Sequence, residues 1–164
     1  MTALRIRKAL ICYFSYTGNT RIVAERLKEK LQSRYQVDLL ELTPRKNRPY
    51  IVWLIYSFLP NSRVAINSCI SDLTGYDLIC VGSPKWTFSC PPFNEYLNSL
   101  SGCAGKHFAL FITYGGFRKQ DFLRRIFKAL EHKGAASIQV LVIRRRKIAD
   151  NSYLQLVDDF AAKL

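Results

Sequence analysis

Ser15-Tyr16-Thr17-Gly18-Asn19-Thr20 is the stretch on which the fold turns. An apolar run, residues 9–14, precedes it. A segment with helical periodicity, residues 20–34, follows, and its apolar positions Ile22, Val23, Leu27 and Leu31 line one face. The order is strand, loop, helix. The loop carries short hydroxyl and amide side chains at Ser15, Thr17, Asn19 and Thr20, and Gly18 lets the backbone turn sharply. A helix start adds N–H groups without intrahelical partners and the positive end of the helix dipole. Such a loop suits a phosphate group. No lysine follows the glycine, so this is not the GxxxxGK[ST] loop, and it is not GxGxxG either. Hydroxyls in place of a lysine suit a terminal monophosphate held without metal. An ordinary capped turn is the plainer alternative, because Ser, Thr and Asn cap helices routinely.

Four further apolar runs read as buried parallel strands: residues 37–42, 78–82, 108–113 and 138–143. Helical segments alternate with them. Pro91-Pro92 opens a helix over 93–100. Residues 117–132 carry a stripe of Phe122, Leu123, Ile126, Phe127 and Leu130, and residues 151–163 turn Leu154, Val157, Phe160 and Ala161 inward. Strand and helix in regular alternation imply an α/β protein, a three-layer αβα sandwich around a five-stranded parallel sheet.

The 164 residues suit a single domain over 1–164, with an enlarged crossover at 43–71. Within that crossover lies a ten-residue apolar run, 50–59, bracketed by Arg45, Lys46, Arg48 and Arg63. Ten residues are too few to span a bilayer. A buried helix or an oligomer contact, such as a homodimer, is the first expectation, and a membrane-surface helix the second. No signal peptide is legible, and the expected location is cytoplasmic. Cys12, Cys69, Cys80, Cys90 and Cys103 are odd in number and show no CxxC spacing, so neither a disulfide framework nor a metal site is expected. Cys12 and Cys80 read as small buried hydrophobes.

The charge is strongly basic and uneven. Twenty-five Lys and Arg against 12 Asp and Glu leave +13. Residues 44–71 carry four bases and no acid, residues 118–147 net +8 including Arg144-Arg145-Arg146-Lys147, and residues 72–117 net −1. Such a charge points to nucleic acid, an anionic membrane or an acidic partner, or to nothing more than a solvated basic surface.

With these residues in place, a resemblance stands out. Tyr13-Phe-Ser-Tyr-Thr-Gly-Asn-Thr20 resembles the phosphate loop of flavodoxins and flavodoxin-like FMN proteins. Tyr76-Asp-Leu-Ile-Cys-Val-Gly-Ser-Pro-Lys-Trp86 resembles the family's second flavin loop, and Phe111-Ile-Thr-Tyr-Gly-Gly-Phe117 its third. The three follow in the family's order. The resemblance implies the strand order 2-1-3-4-5 and a non-covalently bound FMN that transfers electrons. Ser15, Tyr16, Thr17, Gly18, Asn19 and Thr20 would hold the phosphate. Ser83, Pro84, Lys85, Trp86, Thr87 and Phe88, with Thr113, Tyr114, Gly115, Gly116 and Phe117, would flank the flavin ring. Trp86 and Tyr114 are the candidate stacking aromatics, and Gly115-Gly116 would bring backbone N–H groups to the pyrimidine edge.

Three features depart from the pattern. Flavodoxins are usually acidic, whereas this chain is basic. Thr87 stands where some members have a flexible glycine after the aromatic residue. The 43–71 crossover is longer and more apolar than usual, as a lid or dimer contact near the flavin would be. No catalytic side chain beyond the flavin stands out: His107 reads as a strand start, His132 as a helix end, and Cys90 as an unreactive thiol. Two alternatives stay open, an FMN-dependent NAD(P)H:quinone-type oxidoreductase and a basic nucleic-acid or membrane-surface module without flavin. The expected partner is anionic: a redox protein, NAD(P)H or a membrane surface, with no specific nucleic acid.

Overall fold

Strands rich in Ile, Leu, Val and Phe without polar alternation need cover on both faces. In the computed structural model, which describes residues 6–116 and 119–164, five such strands form: β1 (Lys8–Tyr13), β2 (Gln36–Glu41), β3 (Leu78–Lys85), β4 (His107–Tyr114) and β5 (Ser137–Arg144). They make one sheet in the order β2-β1-β3-β4-β5, and every pairing is parallel. This is the sheet that the resemblance implied. β3 runs three residues past its apolar stretch because Ser83, Pro84 and Lys85 stay in register with Ile112, Thr113 and Tyr114.

Among the described residues six helices complete the fold: α1 (Asn19–Leu31), α2 (Tyr50–Ser57), α3 (Pro91–Ser99), α4 (Lys119–His132), α5 (Arg145–Ala149) and α6 (Tyr153–Ala162). Pro91 and Pro92 occupy the first positions of α3, where a missing N–H does no harm. Asp121 in the first turn of α4 complements the positive end of the helix dipole.

Alternate strand residues serve opposite cores. Ala9, Ile11, Cys80 and Phe111 point to the face covered by α1 and α6, among Val23, Leu27, Val157 and Phe160. Leu10, Cys12, Val81 and Leu110 point to the other face, covered by α3 and α4, among Phe93, Tyr96, Phe122 and Ile126. Each fully buried Leu, Ile or Phe contributes roughly 1.5–3 kcal/mol. Gly82 is required by this packing, since a Cβ at that position would overlap the Phe111 ring. Cys12 and Cys80 are fully buried, as their apolar surroundings implied, and burial pushes both thiols up.

Two expectations need correction. Ile22 is 38% exposed and does not belong to the buried stripe of α1, which is Val23, Ala24, Leu27 and Leu31. It sits one residue, about 100°, from Val23 and so turns toward solvent. The basic run 144–147 follows the apolar stretch of the fifth strand: Arg144 ends β5 and the other three begin α5. The apolar run 50–59 does form a helix, α2, but it is only partly buried. Trp53 and Ser57 face inward, whereas Ile51, Ile55, Phe58 and Leu59 are 55–63% exposed. One strip of α2 meets the loop after β3, and an all-apolar helix has no polar residues for its other side.

Candidate functional site

The strand order reverses direction between β1 and β3, which is where open α/β sheets bind ligands, beyond the carboxyl ends of the strands. The loops after β1, β3 and β4 meet there around a cleft of about 340 Å³. That volume is enough for a small-molecule ligand. A larger groove, about 460 Å³, lies between α3 and α4. It is lined by Phe122, Ile126 and Leu97, with Phe88 from the loop after β3, and it has none of the hydroxyls of the loop after β1.

From the first loop, Tyr16, Thr17, Asn19 and Thr20 line the cleft. Gly18 stands at the N-cap of α1 with φ +86°, a left-handed conformation that suits glycine. It brings no capping side chain. Ser15 Oγ accepts the Arg21 N–H at 3.3 Å. Ser15 thus caps the helix from behind, while the amides of Asn19 and Thr20 have no intrahelical acceptor. Asn19 Nδ2 donates to Thr17 Oγ1 at 3.0 Å, which fixes the loop's polar edge. Thr20 Oγ1 and Thr113 Oγ1 lie 2.8 Å apart, both buried, joining the first loop to the third. This hydroxyl pair uses one of its two hydrogens internally and leaves the other for a ligand.

The second loop supplies the apolar wall. Pro84, Lys85 and Trp86 line the cleft. The Trp86 ring stands edge-on to Phe14 (5.6 Å, 89°), Tyr16 (6.3 Å, 83°) and Tyr50 (6.1 Å, 88°), and stacks on Trp53 at 6.4 Å. Tyr16 and Tyr50 also touch, with centroids 5.4 Å apart. Such edge-on clusters hold each ring in a set orientation. The remaining expected residues of this loop stand outside the cleft wall. Ser83 is fully buried, with its hydroxyl donating to the Pro84 carbonyl. Thr87 Oγ1 lies 2.7 Å from Ser57 Oγ, and Phe88 turns to the ring of Phe58. The Phe88 and Ser89 amides both donate to the Ser57 carbonyl at 3.0 Å. Thr87 and its neighbours therefore clamp α2 in place.

The third loop carries the charge. Thr113, Tyr114, Gly115 and Gly116 line the cleft with Arg145. Phe117 lies outside the described residues. Arg144 Nε donates to the Tyr114 hydroxyl at 3.0 Å, and Lys119 Nζ lies 5.4 Å from the Tyr114 ring centre. The hydrogen bond from Arg144, with help from Lys119, holds the phenol below its ordinary pKa. The Arg145 guanidinium lies against Gly115, so close that a Cβ there would come within 2.5 Å of it. Cys90 sits at the start of α3, fully buried, and burial pushes its thiol up to about 12, which makes it a poor nucleophile. His107 starts β4 and meets the Ser137 hydroxyl at 2.7 Å, and His132 ends α4. Both are remote from the cleft, as their positions in the sequence implied.

Two cleft residues were not singled out from the sequence. Tyr50 lay inside a uniformly apolar run, and Arg145 was one of four consecutive bases. The signal for Arg145 is positional: Arg144 pairs with Tyr114, which sets the next residue beside Gly115.

Comparison with known proteins agrees with the fold. The structure of oxidised Flavodoxin 2 from Bacillus cereus superposes with a TM-score of 0.68, at 24% identity, over 94% of this chain and 95% of that one. A flavoprotein from Lactobacillus acidophilus, solved in complex with FMN, superposes with a TM-score of 0.54, at 17% identity, over 90% and 98% of the two chains. No protein-family model matches the chain. The fold is thus flavodoxin-like, a five-stranded parallel sheet with its cleft at the switch point. More particularly, it belongs to one family with an uncharacterized protein of Archaeoglobus fulgidus, 34% identical over 140 residues that cover 85% of this chain and 87% of the relative.

Proposed function

We propose that the protein binds FMN non-covalently in this cleft and transfers electrons through it. One observation carries the reading: a single cleft joins the first turn of α1, with its hydroxyls, to a wall of oriented aromatic rings. Phosphate needs the former and a flat tricyclic ring the latter, and FMN has both. The donor set fits the group. Thr17, Asn19 and Thr20, with the first amides of α1, would take the phosphate. Trp86, Tyr16 and Tyr50 would pack against the ring. The backbone at Gly115-Gly116 and the Arg145 guanidinium would face a polar, electron-rich edge.

When bound, FMN supplies reversible electron transfer, and the protein orients and shields it. Trp86 and Tyr50 would exclude water from the ring. Arg145, supported by the neighbouring Arg144 and Lys119, would favour the more negative, reduced form. The described lining residues include no histidine or carboxylate. The Lactobacillus flavoprotein with its FMN supports the choice of cofactor.

The test is the visible spectrum of the purified protein, incubated with FMN and freed of excess. It should be yellow, bleach with dithionite, recover in air and release FMN on denaturation. A protein that stays colourless after loading would refute the reading. Steady-state NADH and NADPH oxidation with a quinone present separates carrier from enzyme, and a carrier shows no turnover.

A further inference from the structure

Seven of the ten exposed large hydrophobic residues among the described residues lie on one part of the surface. They are Tyr50, Ile51, Ile55, Phe58 and Leu59 along α2, with Tyr16 and Phe88 beside it. Ile51, Ile55, Phe58 and Leu59 follow the spacing i, i+4, i+7, i+8. Ile51 and Ile55 share the side of α2 opposite the buried Trp53 and Ser57, and Phe58 and Leu59 continue the apolar surface in the turn that follows the helix. The patch is continuous: Tyr50 touches Tyr16 at the cleft mouth, and Phe58 touches Phe88 at 6.3 Å. It is also held rigidly, because Ser57 and Trp53 bind α2 to the loop after β3.

Cations flank it. Arg45, Lys46, Arg48 and Arg63 line a cavity of about 640 Å³ together with Tyr56 and Leu59. Among the described residues none of the four forms an ion pair, and the sequence from 44 to 71 contains no acid. An apolar helix face with basic residues along its border is the arrangement of a helix that lies in a lipid interface.

We propose that the α2 face docks the protein on an anionic lipid bilayer. Ile51, Ile55, Phe58 and Leu59 enter the acyl boundary, and the four cations meet headgroup phosphates. The cleft mouth, through Tyr16 and Tyr50, then lies at the membrane surface. A second copy of the chain fits this face poorly. A two-fold contact sets the same patch against itself, and here it would bring four cations toward four more with no acid between them. The docking is independent of whether the cleft holds FMN.

The test is co-sedimentation of the full chain with unilamellar vesicles of phosphatidylcholine alone, or mixed with phosphatidylglycerol, at low and high salt. Sedimentation velocity without lipid accompanies it. Wild type should bind the anionic vesicles at low salt, and phosphatidylcholine alone should retain little. The triple variant Ile51→Ser, Ile55→Ser, Phe58→Ser keeps every charge, and it should lose about a hundredfold in partitioning. Each of Arg45→Gln, Lys46→Gln and Arg48→Gln should weaken binding about fivefold. The altered side chains of the triple variant are exposed, so its thermal unfolding and its FMN loading should match wild type, and both are measured alongside. Failure of wild type to bind vesicles overturns the proposal in favour of a protein partner. Vesicle binding that the triple variant retains in full overturns it in favour of charge elsewhere on the surface. A wild-type dimer that the triple variant turns into a monomer overturns it in favour of self-association.

Discussion

α4 and α2 invert the usual relation between hydropathy and burial. α4, KQDFLRRIFKALEH, is charged at six of its fourteen positions, yet Phe122, Ile126 and Leu130 are all but inaccessible. α2, YIVWLIYS, carries no charge, yet only Trp53 and Ser57 are buried. The difference is one of periodicity. A helix with a polar side and an apolar side has one way to sit on a sheet. A helix that is apolar all round buries whichever strip its neighbours clamp, and its remaining surface stays apolar and available. In this protein the clamp is the loop after β3, and the leftover surface adjoins the cleft.

The comparison can be broken by truncating residues on each helix. Phe122→Ala on α4 should cost about 3–5 kcal/mol of stability by urea unfolding, since it removes a buried ring and leaves a cavity. A much smaller loss would mean that α4 does not sit on the sheet as described.

An intermediate effect should come from the polar side that α2 lacks. On α1, Arg26 donates to both carboxylate oxygens of Asp158 on α6, at 2.8 and 2.7 Å, and Lys30 lies 3.1 Å from the same carboxylate. These bonds, the one from Arg26 first, hold the Asp158 pKa below its ordinary value. A group whose pKa is lowered by folding stabilises the protein above its unfolded pKa, about 4 for aspartate, and loses that contribution as pH falls through the folded value. Asp158→Asn should therefore reduce stability modestly at pH 7. Below about pH 4 its unfolding midpoint should converge on that of wild type. A difference between the two that persists unchanged at low pH would assign the effect to packing.

The smallest effect belongs to α2. Ile55→Ser should change stability by less than about 0.5 kcal/mol, because the residue is 59% exposed. A loss comparable to that of Phe122→Ala would mean that this face of α2 is covered in solution.

The same contrast explains what the sequence disclosed. The stripe of α4 was legible because its apolar residues recur every three or four positions among charges. The strands were legible because short runs such as Leu10-Ile11-Cys12 are apolar on both faces and alternate with helical segments, as the strands of a parallel sheet do. The hydroxyl loop after β1 was legible because its polar residues interrupt that pattern at the point where a helix begins. The orientation of α2 was not legible, since Tyr50–Ser57 has no charged position to mark an outside and its one serine, Ser57, turns inward, and Tyr50 joined the cleft through tertiary contact with Tyr16 and Trp86. Arg145 was hidden in a run of four bases, and only the register of β4 against β5 selects it. Thr87 and Phe88 belong to the second loop, but the bonds from Ser57 turn that part of the loop toward α2 and away from the cleft.

The phosphate end and the ring end of the cleft can be separated by a single calorimetric titration of the flavin-free protein with FMN and, in parallel, with riboflavin, which lacks the phosphate. If the first turn of α1 and its hydroxyls hold the phosphate while the Trp86 wall holds the ring, FMN binds one to one and riboflavin at least about tenfold more weakly, a difference of about 1.4 kcal/mol. Equal affinity for the two, or no binding of either, would contradict that assignment of the cleft.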